Sequence, residues 1–284
     1  MASDRTAAVT TLTTRLDELT ALVSQAAAAI MAVDPAASGA RDKADQSPVT
    51  AADEAAETVI LDGLSRLAPG IPVVSEEAVA IGRIPPPDRA FILVDPLDGT
   101  REFLAGRDEF TVNVALVVDG IPVIGLVAAP PLGLIWRGVV GRGADRLCLR
   151  PGAATAEASA TATIRTRTRP ERGLIAAISR SHFDRQSQAF LDKLPVTGTI
   201  VCGSSVKFCR IAEGGADVYP RLAPTSEWDI AAGHAVLAAA GGVVTTPDGG
   251  ALTYGRFADR FRVPGFIAWG DAPLAGESQA GSRR

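Results

Sequence analysis

Two aspartates stand three positions apart at the end of an apolar run, in the sequence FILVDPLDGT of residues 91–100. Hard divalent cations such as Mg²⁺ take oxygen ligands and usually keep part of their hydration shell, so Asp95 and Asp98 with an intervening backbone carbonyl suit such an ion. Gly99 lets backbone amides approach an anion closely, and a helix that begins near Thr100 would add a favourable dipole. The turn could therefore bind a metal ion and a phosphate. The alternative is a tight turn that the two aspartates only cap.

Two further acidic segments could complete a metal site, which needs ligands from several elements of the chain. Glu76 and Glu77 follow an apolar β-type run, and Asp229 begins an alanine-rich helical stretch. Each also has an ordinary structural interpretation when it is considered alone. The glutamates could begin a solvated loop, and Asp229 could be a helix N-cap worth about 1 kcal/mol.

The elements that must position these groups follow from the apolar periodicity. Steps of three and four residues predict a helix over 13–33 and a second over 51–67. The Asp119-Gly120 pair is typical of a hairpin turn, so the first half is predicted to contain an antiparallel sheet. Its strands are predicted at 71–74, 90–94, 111–118, 122–128 and 134–140.

The second half shows an α/β alternation after a stretch of small and polar residues at 149–169, which predicts a surface connection. We therefore expect an N-terminal α+β half at 13–150, a C-terminal α/β half at 151–272, and disordered ends at 1–12 and 273–284. Strands are predicted at 174–179, 199–202, 216–219 and from 243, and helices at 184–194, 205–213 and 229–240.

Composition excludes several classes of protein. The chain has 284 residues and a net charge of −4 without a block of Lys or Arg, which argues against sequence-independent binding of nucleic acid. Its 3 cysteines form no CxxC pair and it has only 2 histidines, too few soft ligands for a zinc cluster. The longest apolar run near the start, 26–33, is too short to span a membrane. We expect a protein of a reducing compartment, cytoplasmic and at most peripheral to the inner membrane.

Taken in order, the motifs resemble those of the inositol-monophosphatase-like superfamily of metal-dependent phosphatases, over about residues 13–270. The segments that carry the resemblance are Ser47-Pro-Val-Thr50 with Asp53, Ser75-Glu-Glu77, Asp95-Pro-Leu-Asp-Gly-Thr100, and Trp228-Asp-Ile-Ala-Ala-Gly233 with Ala240-Gly-Gly242. A second set of segments is similar to the 3'(2'),5'-bisphosphate nucleotidases of the CysQ type. These are Thr100-Arg-Glu-Phe103, Glu109-Phe-Thr-Val-Asn113, Ser179-Arg-Ser-His182, Gly203-Ser-Ser-Val-Lys207, Ala216-Asp-Val-Tyr-Pro-Arg221 and Glu227-Trp-Asp229.

The resemblance implies an α/β layered fold, the αβαβα sandwich of the inositol monophosphatase and sugar phosphatase type, with an antiparallel sheet followed by a smaller mixed one. It also implies two to three Mg²⁺ ions per site. Glu76, Asp95 and the carbonyl oxygen of Leu97 would hold one ion, and Asp95, Asp98 and Asp229 a second.

The catalytic roles are likewise implied by the resemblance. Asp53, Thr100 and Glu76 would be catalytic: a metal-activated water is oriented by the Thr100 hydroxyl, which Asp53 fixes, and Glu76 also touches a third, weaker ion near Asp53. Amides at Gly99 and Thr100 would hold the oxygens of the reacting phosphate.

The remaining substrate contacts would come from side chains that also have plain structural interpretations. His182 could be a surface histidine, Ser204 a helix cap, and Lys207 and Arg221 solvated charges. Lys207 and Arg221 lie in segments of small and apolar residues, and a second phosphate needs cations away from the metal cluster.

The function implied is hydrolysis of adenosine 3',5'-bisphosphate to AMP and phosphate, with the corresponding phosphosulfate as a further substrate, in recycling a by-product of sulfate assimilation. Sensitivity to lithium and a monomer or homodimer are expected. The first alternative is an inositol or sugar phosphatase of the same superfamily. The second, from another class, is an inactive protein that binds nucleotide as a sensor.

Overall fold

The computed structural model describes residues 9–42, 48–86, 88–181 and 184–272. Its helices are α1 (Leu16–Met31), α2 (Ala51–Leu67), α3 (Glu76–Ala80), α4 (Thr100–Leu104), α5 (Arg185–Leu191), α6 (Val206–Ala212) and α7 (Glu227–Ala239). Its strands are β1 (Arg41–Asp42), β2 (Pro48–Val49), β3 (Val73–Ser75), β4 (Ala90–Asp98), β5 (Thr111–Val118), β6 (Ile121–Ala129), β7 (Leu134–Val139), β8 (Gly143–Cys148), β9 (Ala160–Ile164), β10 (Leu174–Ser179), β11 (Val196–Cys202), β12 (Val218–Arg221), β13 (Thr225–Ser226), β14 (Val243–Thr245), β15 (Arg262–Val263) and β16 (Phe266–Trp269).

The larger sheet has seven strands in the order β3-β4-β5-β6-β7-β8-β9. Only β3 and β4 run parallel, and every other neighbouring pair is antiparallel. The hairpin from β5 to β6 turns at Asp119 and Gly120, both with positive φ, as the sequence predicts.

The smaller sheet is mixed, in the order β11-β10-β12-β16-β14. Strand β10 runs parallel to both of its neighbours, and β16 runs antiparallel to β12 and β14. The predicted pair of sheets, one largely antiparallel and one smaller and mixed, is confirmed.

The apolar faces stack these elements into five layers. One core contains buried residues of α1 and α2 together with Ile92 and Val114 of the larger sheet. A second core lies between the two sheets and is filled by α6 and α7. A third core packs α5, through Phe190, against the outer face of the smaller sheet. The order helix, sheet, helix, sheet, helix is the predicted αβαβα sandwich.

Helix α7 lies close to the larger sheet because glycines face it. A Cβ atom added at Gly125 of β6 would be 2.3 Å from the carbonyl oxygen of Ala232 in α7. On the helix itself, a Cβ at Gly233 would be 2.5 Å from the Phe208 ring of α6. Real Cβ atoms do not approach so closely, so the absence of side chains at these positions fixes how deeply α7 sits between the sheets.

Two predictions are corrected by the structure. The segment 149–169 is not only a surface connection, because β9 forms the edge of the larger sheet. Its first four residues are exposed, so this strand has no apolar alternation to reveal it. The predicted disorder at 1–12 is wrong for 9–12, which are helical and include the buried Leu12. Residues 1–8 and 273–284 lie outside the described residues.

In the part of the chain that the structure describes, no helix combines the length and apolar character needed to cross a membrane.

Candidate active site

The end of β4 carries the two aspartates and the turn that follows them. Asp95 is 1% exposed, and its Oδ1 accepts a hydrogen bond of 3.1 Å from the Leu97 amide. The pairing of β4 with β5 is irregular between Asp95 and Asp98, so the strand bends where its carboxylates begin. Gly99 has φ +101° and α4 begins at Thr100, as the sequence predicts.

The carbonyl oxygen of Glu109 lies between two glycines from different halves of the chain. A Cβ added at Gly99 would be 3.0 Å from this oxygen, and one added at Gly203 would be 2.6 Å from it. Gly99 is therefore required for its backbone conformation as well as for space. This close approach holds the turn after β4 against the end of β11, where Gly203 and Ser204 follow.

Three carboxylates converge beside the turn. Glu76, Asp95 and Asp229 each offer an oxygen atom, and these atoms all lie within 4.8 Å of one another. Glu76 is the first residue of α3, so it does not begin a loop. Asp229 is not the N-cap of α7 either: the cap is Ser226, whose amide donates a 3.1 Å hydrogen bond to Asp229 Oδ2, and the Thr225 hydroxyl donates to the same oxygen.

Asp98 lies on the same cavity wall. Its Oδ2 accepts weak hydrogen bonds from the hydroxyls of Thr111 at 3.4 Å and Ser205 at 3.3 Å. Desolvation raises the pKa of Asp98 to about 6, and the nearby charge of Asp229 adds to the rise. A cation between these carboxylates would offset their repulsion, so the donor set of hard oxygen ligands fits a metal ion.

Asp53 and Thr100 are joined as the sequence-based hypothesis expects. Asp53 is buried at the start of α2, where its Oδ2 accepts hydrogen bonds from the amide and hydroxyl of Thr50 at 2.8 and 2.7 Å. Its Oδ1 lies 3.1 Å from the Thr100 hydroxyl. That hydroxyl is also 3.2 Å from the carbonyl oxygen of Leu97, so its single proton has two acceptors.

The basic side chains lie on the same cavity wall as Ser204. Lys207 is 2% exposed, and its Nζ donates to the carbonyl oxygens of Ser204 at 2.6 Å and Cys202 at 3.4 Å. It also lies 5.1 Å from the centre of the Tyr219 ring. Lys207 is thus not a solvated surface charge.

Two of the residues that line the cavity have a buried polar atom with no hydrogen-bond partner among the described residues. These atoms are the hydroxyl of Ser204 and Nε of Arg221, which is half-buried at the end of β12. Ser204 also has a φ of +43°, a strained conformation for a residue that is not glycine. Buried donors of this kind are costly unless a ligand or water satisfies them.

These groups share one cavity of about 780 Å³. Of the residues expected from the sequence, its walls include Glu76, Asp95, Leu97, Asp98, Gly99, Thr100, Ser204, Lys207, Arg221 and Asp229. Asp53 reaches the cavity only through its contact with Thr100. His182, expected to contact substrate, and Ser47 of the first motif lie outside the described residues.

Some residues that line the cavity were not predicted from the sequence to belong to the site. Glu102 of α4 lines it, as do Arg260 and Arg262 near the far end of the chain. The backbone at Arg260 and Phe261 has φ values of +50° and +61°, and the buried carboxylate of Glu227 holds this loop by accepting from the amides of Gly255 and Arg256. Glu102 lies within the motif Thr100-Arg-Glu-Phe103, which could have indicated a role in the site. No pattern in the sequence predicts that the loop at Arg260 and Arg262 lines the cavity.

The arrangement combines hard oxygen ligands, a glycine turn that leads into a helix, and cations, all on the walls of one cavity. Such a cavity can bind a phosphate ester through a metal ion and hold a second anionic group nearby.

The family model described as "Inositol monophosphatase family" matches residues 13–265. The chain is 42% identical over 253 residues to the 3'(2'),5'-bisphosphate nucleotidase CysQ of Escherichia coli O157:H7, covering 88% of this chain and 98% of that protein. The crystal structure of CysQ from Bacteroides thetaiotaomicron is similar with a TM-score of 0.72 at 32% identity, over 92% of this chain and 97% of the other. The inositol monophosphatase of Anabaena has a TM-score of 0.72 at 25% identity, over 95% of each chain. The match to the family model spans most of the chain, which therefore belongs to the inositol monophosphatase family.

Proposed function

We propose that the chain is a Mg²⁺-dependent 3'(2'),5'-bisphosphate nucleotidase that converts adenosine 3',5'-bisphosphate to AMP and phosphate. The observation that carries the proposal is one cavity in which the acidic cluster faces a wall with unsatisfied buried donors at Ser204 and Arg221. The names of relatives at 42% and 45% identity support the same substrate. The corresponding phosphosulfate, which keeps the 3'-phosphate, is a further expected substrate.

The acidic residues of the cavity would bind the metal ions. Glu76, Asp95, Asp98 and Asp229 would hold two to three magnesium ions, with the Leu97 carbonyl as a neutral ligand. When bound, Mg²⁺ lowers the pKa of water and neutralises charge that develops on a phosphoryl group.

The Thr100 hydroxyl, whose proton is shared between Asp53 and the Leu97 carbonyl oxygen, would orient the attacking water by accepting a hydrogen bond from it. Amides at Gly99 and Thr100, which line the cavity at the start of α4, would bind the equatorial phosphate oxygens.

The distal phosphate belongs on the wall formed by Ser204 and Arg221. In the described part of the chain each has a buried donor with no partner, and a phosphate oxygen would satisfy it. Lys207 contributes its charge, but two of its three N–H groups already have carbonyl acceptors. We expect Lys207 to act mainly by fixing the strained Ser204 backbone.

A substrate panel tests the proposal. Phosphate release with Mg²⁺ is measured side by side on adenosine 3',5'-bisphosphate, inositol 1-phosphate and fructose 1,6-bisphosphate. We expect the highest kcat/KM for the nucleotide and no turnover after metal chelation. A higher kcat/KM for inositol 1-phosphate or fructose 1,6-bisphosphate would contradict the proposal and indicate an inositol or sugar phosphatase. Binding of the nucleotide without turnover would indicate a sensor.

A further inference from the structure

Glu102 is a buried carboxylate on the wall of a cavity that otherwise suits polyanions. It lies two residues after Thr100 in the short helix α4 and is 5% exposed. The Ser181 hydroxyl donates a short hydrogen bond to its Oε1. Glu102 lines the cavity, and the charge of nearby Arg180, whose salt bridge is to Glu109, also acts on it.

A carboxylate in this position repels every phosphate oxygen that enters the cavity. A neutral hydrogen-bond donor of the substrate would help to offset this repulsion, because it would place a positive dipole on the carboxylate without adding charge to the cavity. An adenosine bisphosphate carries two kinds of neutral donor, the free ribose hydroxyl and the adenine amino group. The hydroxyl is on the carbon next to the one that bears the reacting phosphate, whereas the amino group is on the far side of the base.

Position along the chain favours the hydroxyl. Thr100 and Gly99 form the turn that receives the reacting phosphate, and Glu102 follows within the first turn of the same helix. We propose that Glu102 determines specificity by accepting a hydrogen bond from the free hydroxyl adjacent to the phosphate ester that is hydrolysed. The inference rests on the proposed function and names its substrate class: phosphate monoesters with a neighbouring hydroxyl.

Recognition of the neighbouring hydroxyl does not depend on which of the two ribose positions is phosphorylated. A 3'-phosphate leaves the 2'-hydroxyl free, and a 2'-phosphate leaves the 3'-hydroxyl free. Glu102 would bind either one, so the same carboxylate accommodates both isomers of the substrate. It would disfavour a deoxyribose, which has no such hydroxyl.

The test compares adenosine 3',5'-bisphosphate with 2'-deoxyadenosine 3',5'-bisphosphate in four proteins: wild type, Glu102→Ala, Glu102→Gln and Ser181→Ala. A hydrogen bond to a charged acceptor corresponds to about 10- to 100-fold in kcat/KM, which is the preference for the ribonucleotide expected in the wild type. Glu102→Ala should reduce the preference to about 3-fold or less by lowering the rate on the ribonucleotide. Glu102→Gln keeps the shape and a weaker neutral acceptor, so an intermediate preference is expected and decides the matter if the alanine variant does not fold.

Ser181→Ala is the matched control, because it removes the partner of Glu102 and leaves the carboxylate in place. It should keep the preference for the ribonucleotide. Equal rates of the wild type on both nucleotides, or a preference that stays at its wild-type size in Glu102→Ala or in Glu102→Gln, would overturn the inference. If Ser181→Ala abolishes the preference as fully as Glu102→Ala, Glu102 acts only by anchoring the segment at Ser181, which also overturns it. Failure of the proposed function is distinguishable, since the wild type would then hydrolyse neither nucleotide.

Discussion

The carboxylates of the acidic cluster carry the strongest chemical signal in the chain, at the scale of single residues. The spacing of Asp95 and Asp98 suggests a turn that could bind a metal ion. The structure brings Glu76 and Asp229 to this turn from two other elements. What the sequence could not show is the state of Lys207, because a charged residue in an apolar segment has the same pattern whether its head group is solvated or bound to carbonyls. Glu102 was missed for a related reason: nothing in a motif says which way a carboxylate faces.

Removal of one ligand charge should abolish most activity without unfolding the chain. Asp98→Asn and Asp229→Asn keep the size of each side chain but weaken metal binding, so we expect kcat/KM to fall about 100-fold or more. The measurement is phosphate release over a Mg²⁺ titration, with a thermal melt of each variant. Asp108→Asn, at an exposed residue that does not line the cavity, is the control and should behave as the wild type. Normal turnover and Mg²⁺ dependence in Asp98→Asn or Asp229→Asn would contradict the ligand assignment.

The two basic residues should differ in their effects. Arg221→Ala removes a donor to the distal phosphate, and we expect kcat/KM for the bisphosphate to fall by about 10- to 150-fold, which corresponds to roughly 1.5–3 kcal/mol. The much lower rate on inositol 1-phosphate should change little. Lys207→Met should lower the melting temperature as well, because the carbonyl oxygens of Ser204 and Cys202 lose their donor. Equal losses on both substrates in Arg221→Ala would contradict its assignment to the distal phosphate.

Element ends, rather than element interiors, supply the site. Glu76 begins α3, Thr100 begins α4 and Asp229 lies in the first turn of α7, while Asp98 ends β4. Periodicity predicts the long elements well: the predicted helix at 51–67 and the predicted strand at 111–118 have the observed bounds. It gave no prediction for α3, because a helix of five residues is too short to show an apolar period.

The start of α2 allows structural and functional effects to be separated. Thr50→Ala removes the hydroxyl that accepts from the Ala52 amide and donates to Asp53 Oδ2, but the Thr50 backbone amide still holds that oxygen. We therefore expect a loss of about 1 kcal/mol in stability and only a small change in kcat. Asp53→Ala removes the same capping box and also the contact with the Thr100 hydroxyl. Its kcat should fall about 100-fold or more. Chemical denaturation and steady-state kinetics of the two variants measure this, and equal kcat values would show that Asp53 is only a cap.

Across the whole molecule, the cavity is formed where the ends of β4 and β12, from the two sheets, come close to the first turns of α6 and α7, which lie between the sheets. The layered architecture was accessible from the sequence through its resemblance and its change from antiparallel to α/β patterning. The strained loop at Arg260 and Phe261 was not, because it depends on contacts with Glu227 from another element. Long-range contacts of this kind leave no local pattern.

A partly buried histidine should make the stability of the fold depend on pH. His234 of α7 has its Nδ1 3.0 Å from the Tyr254 hydroxyl, and desolvation lowers its pKa from 6.5 to about 4. The unfolded chain therefore binds a proton that the folded chain does not between these values. The contribution of neutral His234 to the free energy of unfolding is complete above about pH 6.5. It is lost as the pH falls towards 4, by up to about 3 kcal/mol.

Denaturant unfolding of the wild type and His234→Gln at intervals from pH 7.5 to 4.5 measures this effect. The free energy of unfolding should decline less steeply in the variant, since the carboxylates contribute equally to both proteins. Parallel curves would mean that His234 is protonated in the folded state.

The close seating of α7 has a consequence for how variants of this chain will be interpreted. The first turn of α7 holds Asp229, and the position of the whole helix depends on Gly125 and Gly233 having no side chain. A saturation scan scored by activity should therefore find positions that do not tolerate substitution along α7 and the facing strand β6, away from the cavity. A larger residue at Gly125 would displace Asp229, the proposed metal ligand, by pushing on helix α7. Such a position would be mistaken for a catalytic one unless its protein level or melting temperature is recorded beside its activity.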